Sequence, residues 1–336
     1  MMALRYASQQ ASGFVNHIKN IAIVGASGNS GSYMVSALLA KKTFNITAIS
    51  RADSKGSFPN GVKVAHIDYE KHDTIVAALK GHDALIITMS VFAPRDSQQK
   101  LIRAAADANV PWIMPNEFGM YNTEEAQNDT IGPGKSQDRQ LIEYLGLSWV
   151  GLTTGFWYEH SLSSPGMYGF EISKTEVVFF DDGTQKLNTS TWPQVGRGVA
   201  ALLSLPSLPV DEHDESVTLS SYRNRMAFVS SFAVSQRDML ESLKRVTYTS
   251  DSDWKVTYEP ARERYAQAKE ELKMGSRPAF GRVLYTRYFY DDEGLFEKSH
   301  GLDNERLGLP SEDLDDATRA AIKLGEEGYW SKFGQR

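Results

Sequence analysis

Lys135 is a residue whose placement suggests chemistry. It lies in "IGPGKSQDRQLIE", directly after a Gly-Pro-Gly turn and at the start of a predicted helix. The N-terminal end of a helix carries partial positive charge, so a lysine there has a small local cost. As an ammonium it could hydrogen-bond or protonate an atom at which negative charge develops. As a neutral amine it could act as a base, and the remaining alternative is a solvated surface lysine.

A glycine-rich turn near the start of the chain is the second candidate site. The segment GASGNSG connects the short apolar run 21–24 to a helical pattern. A tight strand-to-helix turn needs glycine, and a pyrophosphate can then approach the bare backbone at the helix N-terminus. The spacing GxxGxxG therefore predicts a dinucleotide site made by Gly25, Ala26, Ser27, Gly28, Asn29, Ser30 and Gly31.

The second predicted strand ends in "ISRADSKG", which bears on the type of dinucleotide. A site for a ribose 2′-hydroxyl wants an acid about 20 residues after the turn, whereas a site for a 2′-phosphate wants a cation. Counted from Gly31, the strand ends at Arg51, with Lys55 just beyond and Asp53 between these cations. A guanidinium matches phosphate geometry in bidentate fashion. We therefore predict NADPH rather than NADH.

Further cofactor contacts are predicted from the order of the elements. Asp68 ends the third predicted strand, where an adenine edge could meet it. Thr88 and Ser90 end the fourth strand, beside the crevice in which such sheets bind ligands. These predictions rest on topology alone.

The elements that would position these residues alternate between strand and helix as far as residue 155. Such alternation predicts a doubly wound, parallel Rossmann sheet with right-handed crossovers. We expect a flexible tail over 1–19, a Rossmann domain over 20–155 and a smaller α+β substrate-binding part over 156–336, some of whose elements return to the first sheet. In the C-terminal part, Asp182-Gly183 suggests a hairpin turn, Pro193 a helix start and Ser235 a helix cap. Asp73 is the predicted cap of an earlier helix.

Composition narrows the classes of function. Lys and Arg total 36 and Asp and Glu total 42, so the net charge of −6 gives no basic surplus for nucleic acid or an anionic membrane. The absence of cysteine excludes disulfides and thiolate chemistry and suits a reducing compartment, so we expect a cytoplasmic protein. No His, Asp or Glu cluster has metal-ligand spacing, so no metal is expected. A small-molecule substrate is the expected partner, with a homodimer left open.

Several of these motifs together resemble the isoflavone-reductase-like and NmrA-like proteins, which are atypical short-chain dehydrogenases. The resemblance is carried by GASGNSG, Arg51, Lys55, NEFG at 116–119, Lys135 before "RQLIE" and the segment "TTGFW". It spans nearly the whole chain and is strongest over 20–160. Ordinary short-chain dehydrogenases place a Tyr four residues before the catalytic Lys, but here that position is Ile131.

The resemblance implies specific roles. In the reductase branch a catalytic lysine precedes a Glu by eight residues, and Lys135 stands at that spacing from Glu143. Phe118 of NEFG matches an aromatic residue that lines the nicotinamide, and Phe156 after the sixth strand matches one near the nicotinamide and the substrate. Both are expected to contact the substrate as well as the cofactor, and Asn116 is a further expected cofactor contact. Trp157, Tyr158 and His160 follow Phe156, where aromatic walls and an acid for a substrate, or simple packing, are the alternatives. Asn116 departs from the Ser usual in plant reductases, and residues 120–134 show no plant-type motif.

The implied function is an NADPH-dependent reductase of a small hydrophobic, aromatic secondary metabolite. Hydride would go to a C=C, C=N, C=O or benzylic ether carbon, with Lys135 as proton donor or electrostatic stabiliser. The alternative comes from the other branch of the family, whose members bind NADP(H) or NAD(H) without catalysis and regulate partners. The regulatory branch generally lacks the lysine, so Lys135 favours the enzyme.

Overall fold

The structure is a computed structural model that describes residues 6–54, 56–90, 93–94 and 96–333. Its strands are β1 (Asn20–Val24), β2 (Asn45–Arg51), β3 (Val62–Ile67), β4 (Ala84–Ile87), β5 (Trp112–Met114), β6 (Ser148–Thr153), β7 (Phe156–Trp157), β8 (Phe170–Glu171), β9 (Glu176–Phe180), β10 (Leu187–Ser190), β11 (Arg225–Phe228), β12 (Phe232–Val234) and β13 (Lys255–Glu259).

The helices cover both faces of the main sheet and build most of the C-terminal part. They are α1 (Asn29–Ala40), α2 (His72–Leu79), α3 (Ser97–Asp107), α4 (Glu124–Asp129), α5 (Gly134–Tyr144), α6 (Tyr158–Leu162), α7 (Trp192–Ser204), α8 (Gln236–Thr247), α9 (Ala261–Lys273), α10 (Arg277–Arg287), α11 (Phe296–His300), α12 (Leu314–Glu326) and α13 (Tyr329–Phe333). No described helix is both long and apolar enough to cross a bilayer.

Seven strands form one parallel sheet in the order β11-β6-β5-β4-β1-β2-β3. Six of them follow the Rossmann order 3-2-1-4-5-6, which confirms the predicted fold class. The order reverses between β1 and β4, so the ligand crevice lies at the carboxyl ends of these two strands. The seventh strand, β11, comes from beyond residue 156 and extends the sheet next to β6.

Consecutive residues of the central strands are buried in two different cores, one on each face of the sheet. In β1, Ile21 and Ile23 pack in the core that includes α1 and α7, whereas Ala22 and Val24 pack in the core that includes α2, α3 and α5. A parallel strand buried on both faces must be apolar at consecutive positions. The run "IAIV" therefore indicates that helices cover both faces of the sheet at β1.

The C-terminal part contains two three-stranded sheets and a separate aromatic core. The predicted hairpin at Asp182-Gly183 is wrong, because β9 and β10 lie in different sheets. β9 pairs with β8 and β13, and β10 pairs with β7 and β12. The turn residues are present, since Gly183 has φ +75°, but they connect strands that separate. Pro193 near the start of α7 and Ser235 as the cap of α8 are confirmed.

Two local predictions near the N-terminal half differ from the structure. Residues 6–19 contact the rest of the chain rather than forming a loose tail, since the amide of Ala7 donates to the carbonyl of Pro209 and His17 forms a β-bridge with Pro206. The cap of α2 is Lys71, and Asp73 lies inside the first turn. An acidic residue in that turn stabilises the helix through its dipole rather than as the cap.

Candidate cofactor and active site

The glycine turn joins β1 to α1 at the point where the strand order reverses. Gly25 has φ +79°, and a Cβ added there would lie 1.7 Å from the carbonyl oxygen of Thr88. A Cβ on Gly31 would lie 2.1 Å from the carbonyl oxygen of Gly25. Both positions therefore require glycine, because the turn packs directly against its own backbone and the end of β4.

The N-terminus of α1 has the features of a phosphate site. Gly28 caps the helix without a side-chain hydrogen bond, and the first turn contains no acidic residue. The Ser30 and Thr88 hydroxyls lie 3.0 Å apart and are buried, so they connect the turn with the end of β4. Ser27 and Gly28 are exposed at the mouth of the crevice, whereas Ala26 is buried. Free backbone amides at a helix N-terminus, with no acid to repel an anion, can bind a pyrophosphate.

The cation predicted for the 2′-phosphate lies at the end of β2. The Nε atom of Arg51 is 3.5 Å from the carboxylate of Asp53, and both side chains are largely exposed. Lys55 lies outside the described residues. The neighbouring Gly56 approaches the glycine turn, since a Cβ on it would be 2.6 Å from the Ser27 hydroxyl. The loop after β2 thus returns to the turn, as a site that spans both would need.

The carboxylate of Asp68, which is predicted to meet the adenine edge, contacts residues of its own turn. Its carboxylate accepts a hydrogen bond from the amide of Glu70 at 3.0 Å and lies 3.3 Å from the Lys71 ammonium. The hydrogen bond from the Glu70 amide is the main cause that lowers the pKa of Asp68. These contacts give Asp68 a structural role after β3, beside any contact with an adenine.

The ends of β4 and β5 are linked by Asn116. Its amide nitrogen donates to the carbonyl of Met89 at 3.0 Å, and its backbone N–H donates to the Gln98 side chain at 3.0 Å. Ser90 is exposed next to Met89. Gln98 also donates to Asp138 of α5, whose pKa is raised by burial. Asn116 thus connects the crevice to both α3 and α5.

Lys135 lies in the first turn of α5 and pairs with Glu117 of the NEFG segment. The Lys135 ammonium is 3.4 Å from one Glu117 oxygen, and the Arg139 guanidinium pairs with the other. The Glu117 side chain is 2% exposed and the Lys135 side chain 22% exposed. A buried carboxylate needs such partners, because an unpaired charge would be costly to bury. Glu117 therefore anchors Lys135 at the edge of the sheet where the glycine turn also lies.

Glu117 has no place among the predicted site residues, although it lies within the NEFG motif. Glu143, the residue eight positions after Lys135, instead accepts a hydrogen bond from the Trp149 indole at 2.8 Å. Eight residues of helix span about 12 Å. The spacing to Glu143 thus points to Lys135, but the carboxylate that Lys135 contacts belongs to Glu117 and not to Glu143. The sequence signal for Glu117 is a charged residue that follows shortly after the apolar strand β5.

Three predicted aromatic residues lie inside the cores rather than on an open surface. Phe118 is 4% exposed and packs beneath α1 and α7. Phe156 is 7% exposed, and its ring stacks on Tyr285 with centroids 3.9 Å apart. Tyr158 is fully buried and bonds the Thr318 hydroxyl at 2.8 Å. Burial of these side chains does not support their prediction as walls against a substrate.

Trp157 and His160 form a second aromatic group near the glycine turn. Trp157 is half-buried and lies 5.7 Å from the His160 ring and 6.3 Å from the Trp192 ring. Burial lowers the pKa of His160 to about 3, so its ring is neutral at ordinary pH. A neutral, buried imidazole is a hydrogen-bonding group rather than a ready acid.

An accessible aromatic group lies at the same edge of the sheet, in residues outside the sequence prediction. His300 is exposed and stacks on Phe228 at the end of β11, with centroids 4.5 Å apart and planes inclined by 5°. Tyr121 contacts both rings, at 4.6 Å from His300 and 5.4 Å from Phe228. Tyr121 follows the NEFG segment, so this group, named the edge aromatics below, continues the strand end that carries Glu117.

The part of the chain that the structure describes contains no candidate metal site. Residues 6–54, 56–90, 93–94 and 96–333 contain no group of three or more His, Asp or Glu side chains able to hold an ion.

Comparisons with known proteins agree with this geometry. A family model described as the NmrA-like family matches residues 17–178. Oxidoreductase aprR of Aspergillus flavus is 30% identical over 316 residues, which is 90% of this chain and 98% of that protein. The match thus extends through both the Rossmann sheet and the C-terminal part.

Solved structures share the fold at lower identity. One described as isoflavone reductase has a TM-score of 0.69 and 18% identity, covering 90% of this chain and 98% of that chain. One described as AtPrR2 with NADP+ and (+)pinoresinol has a TM-score of 0.61 and 17% identity, covering 93% and 99%. With a relative at 30% identity over nearly its whole length, the chain belongs to the NmrA-like, isoflavone-reductase-like family of oxidoreductases.

Proposed function

We propose that this protein is an NADPH-dependent reductase of a small, hydrophobic, aromatic molecule. The observation that carries the proposal is the ion pair between Lys135 and the buried Glu117. It fixes a partly exposed ammonium at the carboxyl edge of the sheet, where the glycine turn also opens. The regulatory branch of the family that the chain resembles generally lacks this lysine. The cytoplasmic location and the homodimer stay predictions.

The glycine turn fits a dinucleotide. Side chains at Gly25 and Gly31 would clash with backbone, and α1 offers its N-terminal amides without a competing cap. These amides would hold the diphosphate, with Asn29 and Ser27 beside it, and Arg51 would meet a 2′-phosphate. The bound complex of the structural neighbour AtPrR2 supports NADP as the cofactor class. When bound, NADPH supplies a hydride from C4 of its nicotinamide.

Lys135 would handle the charge that hydride addition leaves on the substrate. Addition to one end of a C=C, C=N or C=O group leaves an electron pair at the other end, and reductive cleavage of a benzylic ether leaves it on the departing oxygen. The Lys135 Nζ would hydrogen-bond that atom and donate a proton to it. The ion pair with Glu117 supports the ammonium role over that of a neutral base.

The edge aromatics support an aromatic substrate. His300 is exposed, Tyr121 and Phe228 are half-buried, and all three rings lie at the same sheet edge. Flat rings favour offset-stacked or edge-to-face partners. Trp157 stays a candidate for the opposite wall, since it is only half-buried. The neighbour AtPrR2 binds (+)pinoresinol, which supports an aromatic ligand class here.

The test compares Lys135→Ala with Lys135→Arg and a control, Lys273→Ala, which removes an exposed lysine paired with Glu270 on α9. NADPH binding is followed by fluorescence and its oxidation by absorbance, with phenolics, imines, enones and benzylic ethers as substrates. We expect Lys135→Ala to bind NADPH like the parent protein and to lose turnover by about 100-fold. Lys273→Ala should keep full turnover.

Two outcomes would overturn the proposal. Unchanged turnover in Lys135→Ala removes the residue from the reaction. Tight NADPH binding without turnover of any compound favours the other branch of the family, in which the nucleotide is a signal rather than a reactant. The matching family model bears the NmrA name, so this rival is the one to test.

A further inference from the structure

The C-terminal helix α13 packs against the face of the molecule that carries the glycine turn. The Trp330 indole donates to the Ser163 hydroxyl at 3.1 Å, and its ring lies 4.6 Å from the His160 ring. The Tyr329 ring lies 6.0 Å from the Trp192 ring at the start of α7. These contacts of Tyr329 and Trp330 hold the start of α13 beside the start of α1.

Tyr329 connects this helix to the turn itself. Its hydroxyl lies 2.5 Å from the amide nitrogen of Asn29 and 2.9 Å from Nδ1 of His160. Asn29 is the first residue of α1 and belongs to the GASGNSG segment. A side chain 300 positions later in the sequence thus contacts the predicted diphosphate site directly.

The direction of the hydrogen bond between Asn29 and Tyr329 follows from the donors available. The Asn29 amide nitrogen can only donate, so the Tyr329 hydroxyl accepts from it. The Tyr329 hydroxyl also lies 2.9 Å from Nδ1 of His160, and the tautomer of the imidazole decides which of these two groups donates. Bonded to both residues, the Tyr329 hydroxyl holds the Asn29 amide in one orientation.

We propose that Tyr329 is a positioning residue for the cofactor diphosphate, acting through Asn29. An amide nitrogen carries two hydrogens, so the bond to Tyr329 leaves a second donor for a phosphate oxygen. Held by Tyr329, this donor is pre-oriented, and binding costs less conformational entropy than with a freely rotating amide. The inference rests on the proposed function, because it takes the ligand of the turn to be NADPH.

The variant Tyr329→Phe tests the inference, because it removes the hydroxyl and keeps the ring among its aromatic neighbours. We expect NADPH to bind about 5- to 10-fold more weakly, the effect of losing one hydrogen bond. Adenosine 2′-monophosphate, which has the 2′-phosphate but no diphosphate, should bind Tyr329→Phe and the parent protein equally. Tyr248→Phe, at a tyrosine that is 95% exposed, is the matched control and should change neither affinity.

A double-mutant cycle separates positioning from general loosening. Asn29→Ala should weaken NADPH binding, and adding Tyr329→Phe should then cause no further loss, since Tyr329 acts through the missing amide. Additive losses, equal weakening of adenosine 2′-monophosphate, or unchanged NADPH affinity in Tyr329→Phe would each overturn the inference. If Tyr329→Phe does not fold, the inference requires Asn29→Ala alone to weaken NADPH but not adenosine 2′-monophosphate. Failure of the parent protein to bind NADPH would instead count against the proposed function.

Discussion

The Lys135 ammonium lies 3.4 Å from a carboxylate of Glu117 that is almost completely buried. Lys135 lies in the first turn of α5 and Glu117 follows β5, so the ion pair joins the helix to the end of a strand that precedes it. The second Glu117 oxygen takes Arg139, one turn further along α5. Two cations of one helix thus share a single buried anchor, which sets the position of Lys135.

Glu117→Gln should lower turnover while NADPH binding is kept. The amide preserves the size of the side chain but removes the charge that holds Lys135, so the ammonium can leave its position. We expect turnover to fall about 10-fold, which corresponds to a loss of roughly 1.4 kcal/mol of transition-state stabilisation. Glu143→Gln is the control, since Glu143 bonds Trp149 and lies on the same helix. Equal turnover in the two variants would contradict the anchoring role.

Arg51 should decide the preference between NADPH and NADH. Arg51→Asp replaces the cation at the end of β2 by an acid, which would repel a 2′-phosphate and accept from a ribose 2′-hydroxyl. We expect the ratio of NADPH to NADH affinities to fall about 10- to 100-fold, as measured by fluorescence titration of both cofactors. Asp53→Asn serves as control, because it removes only the exposed partner of Arg51. A ratio unaltered by Arg51→Asp would assign the 2′-phosphate to other residues.

Much of the first sheet could be predicted from the sequence because its signals are local. The run 21–24 is apolar on both faces, and the glycine spacing follows from clashes that any side chain at Gly25 would cause. Capping by Ser235 is equally local, since its hydroxyl accepts from the amide of Asp238 three residues on. Patterns that depend on neighbours within one or two turns were therefore sufficient.

Contacts between distant segments could not be predicted in this way. Nothing near Asn29 indicates Tyr329, and nothing near Tyr121 indicates His300. The turn at Gly183 suggests a local hairpin, but the strand before it, β9, pairs with β13, which lies about 75 residues away along the chain. The division at residue 155 stays a prediction, although β11 shows that the later part contributes a strand to the first sheet.

Alanine substitutions at two glycines should have opposite effects on stability. Gly25→Ala would place its Cβ 1.7 Å from the Thr88 carbonyl oxygen at φ +79°, so we expect a large loss of folded protein and of NADPH binding. Gly134→Ala, next to Lys135, meets nothing within 4 Å and lies in the helical region. Reduced freedom of the unfolded chain should raise its unfolding free energy by about 0.4–1 kcal/mol. Thermal unfolding of both variants checks this, and a stable Gly25→Ala would refute the packing described for the turn.

Glu159→Gln should raise stability above neutral pH. Glu159 lies on α6 with 6% exposure, and its carboxylate accepts from the Trp192 amide at 3.2 Å. Burial is the main cause that raises its pKa to about 7, from an ordinary value of 4.5. The native state therefore keeps a proton that the unfolded chain releases between these values. Stability falls as pH rises through this window, and the loss is complete above pH 7.

Glutamine has no proton to release, so the variant avoids this loss. At roughly 1.4 kcal/mol per pKa unit, we expect the unfolding free energy of Glu159→Gln, relative to the parent protein, to rise by about 3 kcal/mol between pH 4.5 and pH 8. Denaturant unfolding at several pH values measures this difference. His160 titrates in both proteins, so its effect cancels. Glu326→Gln, at an exposed position on α12, is the control and should follow the parent curve. Parallel curves for Glu159→Gln and the parent protein would show that burial does not raise the pKa of Glu159.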